Sequence, residues 1–303
     1  MTEIQQESIF LPYKDGKLHI RKIAPSNSKK QLTPFLMLHG SISNGKVFYT
    51  KSGKGLACSM AKEGYEVYVL DMPGRGLSTP KIARGVNPSQ TEVVRDVIPS
   101  VQAFILEANP LADKVHWLAH SWGGVLMAAT MLRYSELQDQ VASFVTFGTK
   151  RRVQVKNLHR TLVLELIWKR LSIPLMKLKG YFPAIGLGVG MDNESYLSVT
   201  QTFPWLEGEW IDPEDGFDYS AKLPSAQLPP AWFFAGKNDP ILGNPSDVKS
   251  TFDELKFKQG KFVLLSKQNG HKHDYDHASM LTHADAEGDH FSELKSWYKV
   301  GCF

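Results

Sequence analysis

The stretch VHWLAHSWGGVLM at residues 115–127 constrains the fold of this chain more than any other. Val115, Trp117 and Leu118 read as a short buried strand, and the residues after Ser121 read as a helix. Between them the chain must reverse within a residue or two. Ala119 and Gly123 are small where such a reversal brings backbones together, although alanine stands at 119 where glycine is usual. An elbow of this kind lifts the Ser121 hydroxyl out of the sheet. It also aims the backbone N–H of Trp122 at whatever that hydroxyl attacks.

The surrounding chain supplies a sheet for the elbow. Residues 7–22 predict an antiparallel hairpin turning at Asp15-Gly16. The run PFLMLH at 34–39 is continuously apolar, as in a strand buried on both faces, and it ends in His39-Gly40-Ser41-Ile42. Residues 48–62 are helical in pattern, and EVYVLD at 66–71 is another buried strand leading into Met72-Pro73-Gly74-Arg75-Gly76-Leu77-Ser78. Residues 91–108 place Val94, Val97, Ile98, Val101 and Ile105 on one helical face. Further strands are predicted at 141–147, 231–235 and 261–266, with a helix after Ser246 and a last one over 279–298. This alternation predicts the α/β class: a mostly parallel sheet with helices on both faces and ligands bound at the strands' carboxyl ends.

The alternation breaks after Gly148. Residues 150–223 show no convincing strand, and 162–178 are dense in Leu, Ile and Met around Trp168. The expected organisation is a core made of 1–149 and 226–303, with 150–225 inserted as a helical lid. Trp168, Phe182 and Trp205 are available for a greasy pocket, though packing on the core accounts for them equally well. Lys169, Arg170, Lys177 and Lys179 read more simply as a solvated face than as a contact with an anionic interface.

Composition excludes some classes. The formal charge of +4 comes with no basic run interleaved with aromatics, so nucleic acid is not an expected partner. Cys58 and Cys302 are too far apart to suggest a structural disulfide, which fits a reducing compartment. The opening MTEIQQESIFLP lacks a basic n-region and an apolar core, and no apolar run reaches the roughly 20 residues of a membrane span. A cytoplasmic protein is expected.

A serine hydroxyl needs a base within reach and a carboxylate to orient that base. In a sheet of this kind the order along the chain is serine, acid, histidine. The loop after 141–147, Gly148-Thr149-Lys150-Arg151, offers no carboxylate, whereas Gly236-Lys237-Asn238-Asp239-Pro240 places Asp239 after the next strand. Asp212, Asp215 and Asp218 fall in the insertion and read as solvated or lid-anchoring. The last loop, NGHKHDYDH at 269–277, is crowded with histidines. Reach favours His277, at the turn into the final helix. His271 is the rival and His273 a supporting or solvated residue. The same loop, with His283, Glu287 and His290 on one face of the final helix, is rich in ligand types. Its spacing matches no zinc pattern, so no metal is expected. The turn His39-Gly40-Ser41 offers a second oxyanion donor in the N–H of Ser41, beside that of Trp122. Asp71 and Arg75 read as braces for their own loop.

Taken as a set, His39-Gly40, Asp71-x-x-Gly74-x-Gly76-x-Ser78, the Ser121 elbow, Asp239 and the late histidine resemble the α/β-hydrolase fold. The C-terminal third is similar to the acid lipase group: Tyr-Asp-His277 resembles their Tyr-Asn-His segment, and Gly-Lys-Asn-Asp239 followed by Pro245-Ser-Asp-Val248 resembles their acid loop. The resemblance implies His277 as base. It also implies a cofactor-free serine hydrolase acting on small-molecule carboxylic esters. The same fold hosts thioesterases, acyltransferases and non-catalytic receptors.

Overall fold

A run such as Phe35–Leu38 has no polar side to offer water, so it must be covered twice. Leu36 and Leu38 enter one hydrophobic cluster, while Phe35 and Met37 enter another on the opposite side of the sheet. The computed structural model describes residues 2–27, 32–155 and 172–301. Eight strands form the main sheet: β1 (Ile4–Tyr13), β2 (Gly16–Pro25), β3 (Phe35–Leu38), β4 (Val67–Asp71), β5 (Val115–His120), β6 (Val141–Phe147), β9 (Ala231–Gly236) and β10 (Gly260–Leu265). Their order is β1-β2-β4-β3-β5-β6-β9-β10. The β1, β2 and β4 pairings are antiparallel, and every pairing from β4 to β10 is parallel. The expected α/β class and mostly parallel sheet are therefore what the chain adopts.

Helices connect the parallel strands: α1 (Leu56–Lys62), α2 (Ile98–Ala108), α3 (Trp122–Arg133) with α4 (Ser135–Gln140), and α7 (Pro245–Leu255). Ahead of α2 the helical stretch opens into a π turn at Val93–Val97. Pro99 has no N–H to give the carbonyl of Arg95, and its ring would crowd that carbonyl. The Arg95 oxygen instead accepts the Tyr134 hydroxyl at 3.0 Å, and Val94 O accepts Thr130 Oγ1 at 3.2 Å.

Several elements differ from expectation. The first hairpin turns at Lys14-Asp15, with Tyr13 opposite Gly16. Of residues 48–62 only Leu56–Lys62 is helical, because Gly53 and Gly55 take positive φ and Gly55 lies against Phe48 O, where a Cβ would come within 2.5 Å. The last helix is broken into α8 (Ser279–Thr282), a 3-10 turn (Ala284–Gly288) and α9 (His290–Val300). His283 starts the break: its Nδ1 accepts the N–H of Asp285, a local bond that replaces a helical one. His283, Glu287 and His290 consequently do not share a helix face. His290 is buried and donates Nε2–H to Met280 O at 2.6 Å.

The segment between β6 and β9 contains α5 (Ile173–Lys179), α6 (Tyr196–Glu207) and a small hairpin that was not expected, β7 (Tyr181–Phe182) with β8 (Glu194–Ser195). Most of the apolar run 162–178, with Trp168, Lys169 and Arg170, lies outside the described residues, as does Cys302. Buried polar contacts tie this segment to the sheet's loops. The guanidinium of Arg133 on α3 reaches Asp212 and Asp215, while Asp212 also accepts Thr91 Oγ1 at 2.7 Å and Tyr219 OH at 2.6 Å. Asp212 and Asp215 are thus anchors, and Asp218 is exposed. Arg151 donates to the carbonyls of Trp205, Gly208 and Glu209 and pairs with Glu254 of α7.

Candidate active site

The strand order changes direction at β3: the chain goes to β4 on one side of it and returns to β5 on the other. Such a switch point leaves a crevice at the carboxyl ends of the two strands. The elbow stands there. Ser121 has φ 53° and ψ −127°, a conformation costly for a side chain-bearing residue and held only when its surroundings over-determine it. They do so here. Ser121 N–H donates to Phe147 O at 2.8 Å, and Ser121 O accepts from Gly124 N at 3.1 Å and Thr149 Oγ1 at 2.9 Å. The turn after β3 presses on the elbow from the other side. A Cβ on Gly40 would lie 2.7 Å from Ser121 Cβ, and one on Gly123 would lie 2.4 Å from His39 O. Glycine at these two positions is a steric requirement.

The expected acid and base, Asp239 and His277, lie on neighbouring loops. Asp239 follows β9 and is buried. His277 follows β10, and its Nδ1–H donates to Asp239 Oδ2 at 2.6 Å. The two loops touch because Gly236 lets the backbone of Tyr275 pass, where a Cβ would meet Tyr275 O at 2.4 Å, and Asn238 N donates to that same oxygen at 2.8 Å. Asp276 sets the turn at His277: its carboxylate accepts the N–H groups of Ala278 and Ser279 at 3.0 and 2.7 Å. Burial raises the Asp239 pKa, but the hydrogen bond and charge of His277, with the N–H groups of Gly243 and Ile241, outweigh it. The carboxyl is held below its ordinary range.

His277 reaches the elbow. Its ring lies where a Cβ on Gly148 would come within 2.9 Å of it, and its backbone oxygen accepts His120 Nε2–H at 3.0 Å. No hydrogen bond joins Ser121 Oγ to the imidazole among the described residues; such bonds are commonly long before substrate arrives and shorten in the complex. His271 and His273 go elsewhere: His271 Nε2 lies 3.3 Å from Glu293, and His273 Nε2 lies 2.7 Å from Asp285. His271, Asp289 and Glu293, and separately His273, His283 and Asp285, each bring ligand-type atoms within 4.8 Å of one another. Both groups belong to the loop after β10 and the last helices, and none of these residues lines the pocket at Ser121.

That pocket has a volume of about 100 Å³. Ser41, Ser121 and Trp122 border it on the sheet side, and Val199, Phe203 and Leu206 of α6, with Leu242, form an apolar wall. Phe182 and Trp205, considered for this role, do not line it. Phe182 packs with Met176, Ala184 and Val199, and Trp205 packs among Trp122, Trp210 and Tyr219.

Polar residues that the sequence did not single out hold the crevice. Glu194 accepts the N–H of Ile42 at 2.9 Å and pairs with the buried guanidinium of Arg75, which also donates to Pro73 O. Burial lowers the Arg75 pKa to about 10, leaving it charged at neutral pH. Asp192 accepts from Asn44 Nδ2 at 2.6 Å and Gly76 N at 2.8 Å. Asp71 braces its loop as expected, accepting from His19, Gly45 N and Leu77 N. Only His120 carried a local signal, since it stands directly before Ser121.

His39 links the loops after β3 and β4: Nδ1–H donates to Gly40 O at 2.8 Å and Nε2 accepts Met72 N–H at 3.0 Å, which requires the neutral ring. Burial lowers its pKa to about 4, that of His290 to about 4, and those of His116 and His120 to about 3. The unfolded chain binds these protons near pH 6.5. The resulting stability is complete above about pH 6.5 and is lost as the pH falls toward 4, at roughly 1.4 kcal/mol per pH unit for each ring that stays neutral. Urea midpoints should therefore drop between pH 7.5 and 5. Equal midpoints would contradict the neutral, buried assignment.

Comparisons with known proteins agree with the fold. A family model described as the alpha/beta hydrolase fold matches residues 33–170. A search of curated proteins by sequence found no match. Among solved structures, a soluble variant of monoglyceride lipase from Saccharomyces cerevisiae aligns with a TM-score of 0.69 at 14% identity, covering 98% of this chain and 96% of that one. A thermophilic esterase from Thermogutta terrifontis gives 0.58 at 14% identity, with 99% and 100% covered. A monoacylglycerol lipase of Paleococcus ferrophilus gives 0.57 at 16%, with 94% and 99% covered. Among the described residues no helix is long and apolar enough to cross a membrane. By strand order, elbow and likeness, the chain has the α/β-hydrolase fold.

Proposed function

We propose that this chain is a serine hydrolase that cleaves small-molecule carboxylic esters through an acyl-enzyme. The observation that carries the reading is the 2.6 Å bond between His277 Nδ1 and Asp239 beside a serine held at φ 53°. Ser121 Oγ attacks the ester carbonyl while His277 Nε2 takes its proton. Asp239 fixes the tautomer that leaves Nε2 free and stabilises the imidazolium. The N–H groups of Trp122, in the first turn of α3, and of Ser41 receive the oxyanion. Collapse expels the alcohol with the proton from His277, and water then releases the acid by the same path. No cofactor enters these steps. The apolar wall of α6 favours hydrophobic acyl groups, and residues 150–225 act as the lid that supplies it. The names of the similar structures, esterases and lipases, support an ester over other acyl compounds. The expected surroundings are cytoplasmic.

A fluorophosphonate probe tests this directly. Labelling should map to Ser121, vanish in Ser121→Ala, and accompany hydrolysis of p-nitrophenyl esters. A folded wild-type chain that takes no label and cleaves no ester in a series of rising acyl length is a binding module instead.

A further inference from the structure

Three residues beyond β6, next to the Thr149 that braces the elbow, Lys150 lines the Ser121 pocket while only 8% exposed. Among the described residues its ammonium makes no hydrogen bond or ion pair. An isolated buried ammonium is costly unless something meets it. The carboxylates around it each bond another group. Asp239 holds His277, and Glu194, also on the pocket wall, holds Arg75 and the N–H of Ile42. Asp247 accepts Gln154 N at 2.9 Å. Burial lowers the Lys150 pKa, opposed by the negative charge of Asp239 and Asp247. The pocket is thus an apolar wall with one ammonium that bonds no side chain among the described residues, beside the hydroxyl that would be acylated.

We propose that Lys150 is a specificity residue for a carboxylate carried by the ester substrate, so that anionic esters are preferred over neutral ones of the same length. The inference rests on the reading of Ser121 as nucleophile and names the substrate class for that site. The Glu194 carboxylate does not cancel the preference, because its own charge is matched within the Arg75 pair.

The test compares kcat/KM for two matched pairs: the p-nitrophenyl monoester of glutaric acid against p-nitrophenyl valerate, and the butyryl ester of glycolic acid against ethyl butyrate. The first carries the carboxylate on the acyl side, the second on the alcohol side. A hydrogen bond between charged partners predicts a preference of about ten- to a hundredfold for the anionic member of at least one pair. In Lys150→Met that ratio should fall to one or below, each ester being compared within the same variant so that a general loss of folding cancels. A wild-type chain that prefers the neutral ester of both pairs, or shows no preference, overturns the proposal while leaving the hydrolase reading intact. A preference that survives in Lys150→Met also overturns it. If the wild type cleaves none of the four and Ser121 takes no fluorophosphonate, both readings fall together.

Discussion

Replacing His277 by alanine is expected to lower kcat for a p-nitrophenyl ester on the order of 10⁶-fold, the cost seen when one member of such a constellation is removed. Ser121→Ala should lose as much, and the double variant little more, because the groups act as a unit. Asp239→Asn should cost about 10⁴-fold, since an amide orients the ring in the wrong tautomer. His271→Ala is the informative control. Its ring lies by Glu293 on α9 rather than by Asp239, so the rate should stay near wild type. Activity retained by His277→Ala, or lost in a folded His271→Ala, would reverse the assignment of the base.

The second large effect is on stability. Glu194→Ala should lower the free energy of unfolding by about 3–5 kcal/mol, the usual cost of removing one partner of a buried pair. Both Glu194 and Arg75 are buried, so the variant leaves a guanidinium without its counter-charge. It also removes the acceptor for Ile42 N–H. Ile42 has φ 49°, a region a β-branched residue rarely enters, and it carries the chain on from Ser41. The thermal midpoint should fall by about 10 °C. Turnover below the midpoint should fall as well, because the proposed second oxyanion donor shifts. An unchanged midpoint in Glu194→Ala would show that the pair is not buried as described.

How much of this was legible in the sequence follows from the range of the interactions involved. Strands β3, β4 and β6 were visible because burial on both faces forces an unbroken apolar run. Ser121 was visible because its turn demands Gly123 and tolerates little at 119. Asp239 followed from loop order once the strands were placed; the same order left His271 beside His277, which reach and the resemblance favoured, and the structure brings His277 and Asp239 together. Glu194 and Lys150 were not legible. Neither sits in a local pattern: one meets its partners across more than a hundred residues of chain, the other is notable only for what it does not touch. The two-residue strands of β7 and β8 are too short to show alternation. The last helix looked continuous because its periodicity survives a break made by one side-chain bond at His283. Aromatic content misled for a related reason: Trp205 is consumed by packing against Trp122, Trp210 and Tyr219, leaving the smaller Val199 and Leu206 to face the pocket.

The glycines at 40 and 123 give the two sides of the crevice different steric freedom. Below the pocket Gly40 lies against Ser121 and Gly123 against His39 O, and no side chain can be added at either without parting the turn after β3 from the elbow. Overhead, the surface consists of exchangeable side chains on α6, a helix that contributes no strand to the sheet. A substitution that reshapes the pocket is therefore sterically open on α6 and closed at residues 40 and 123.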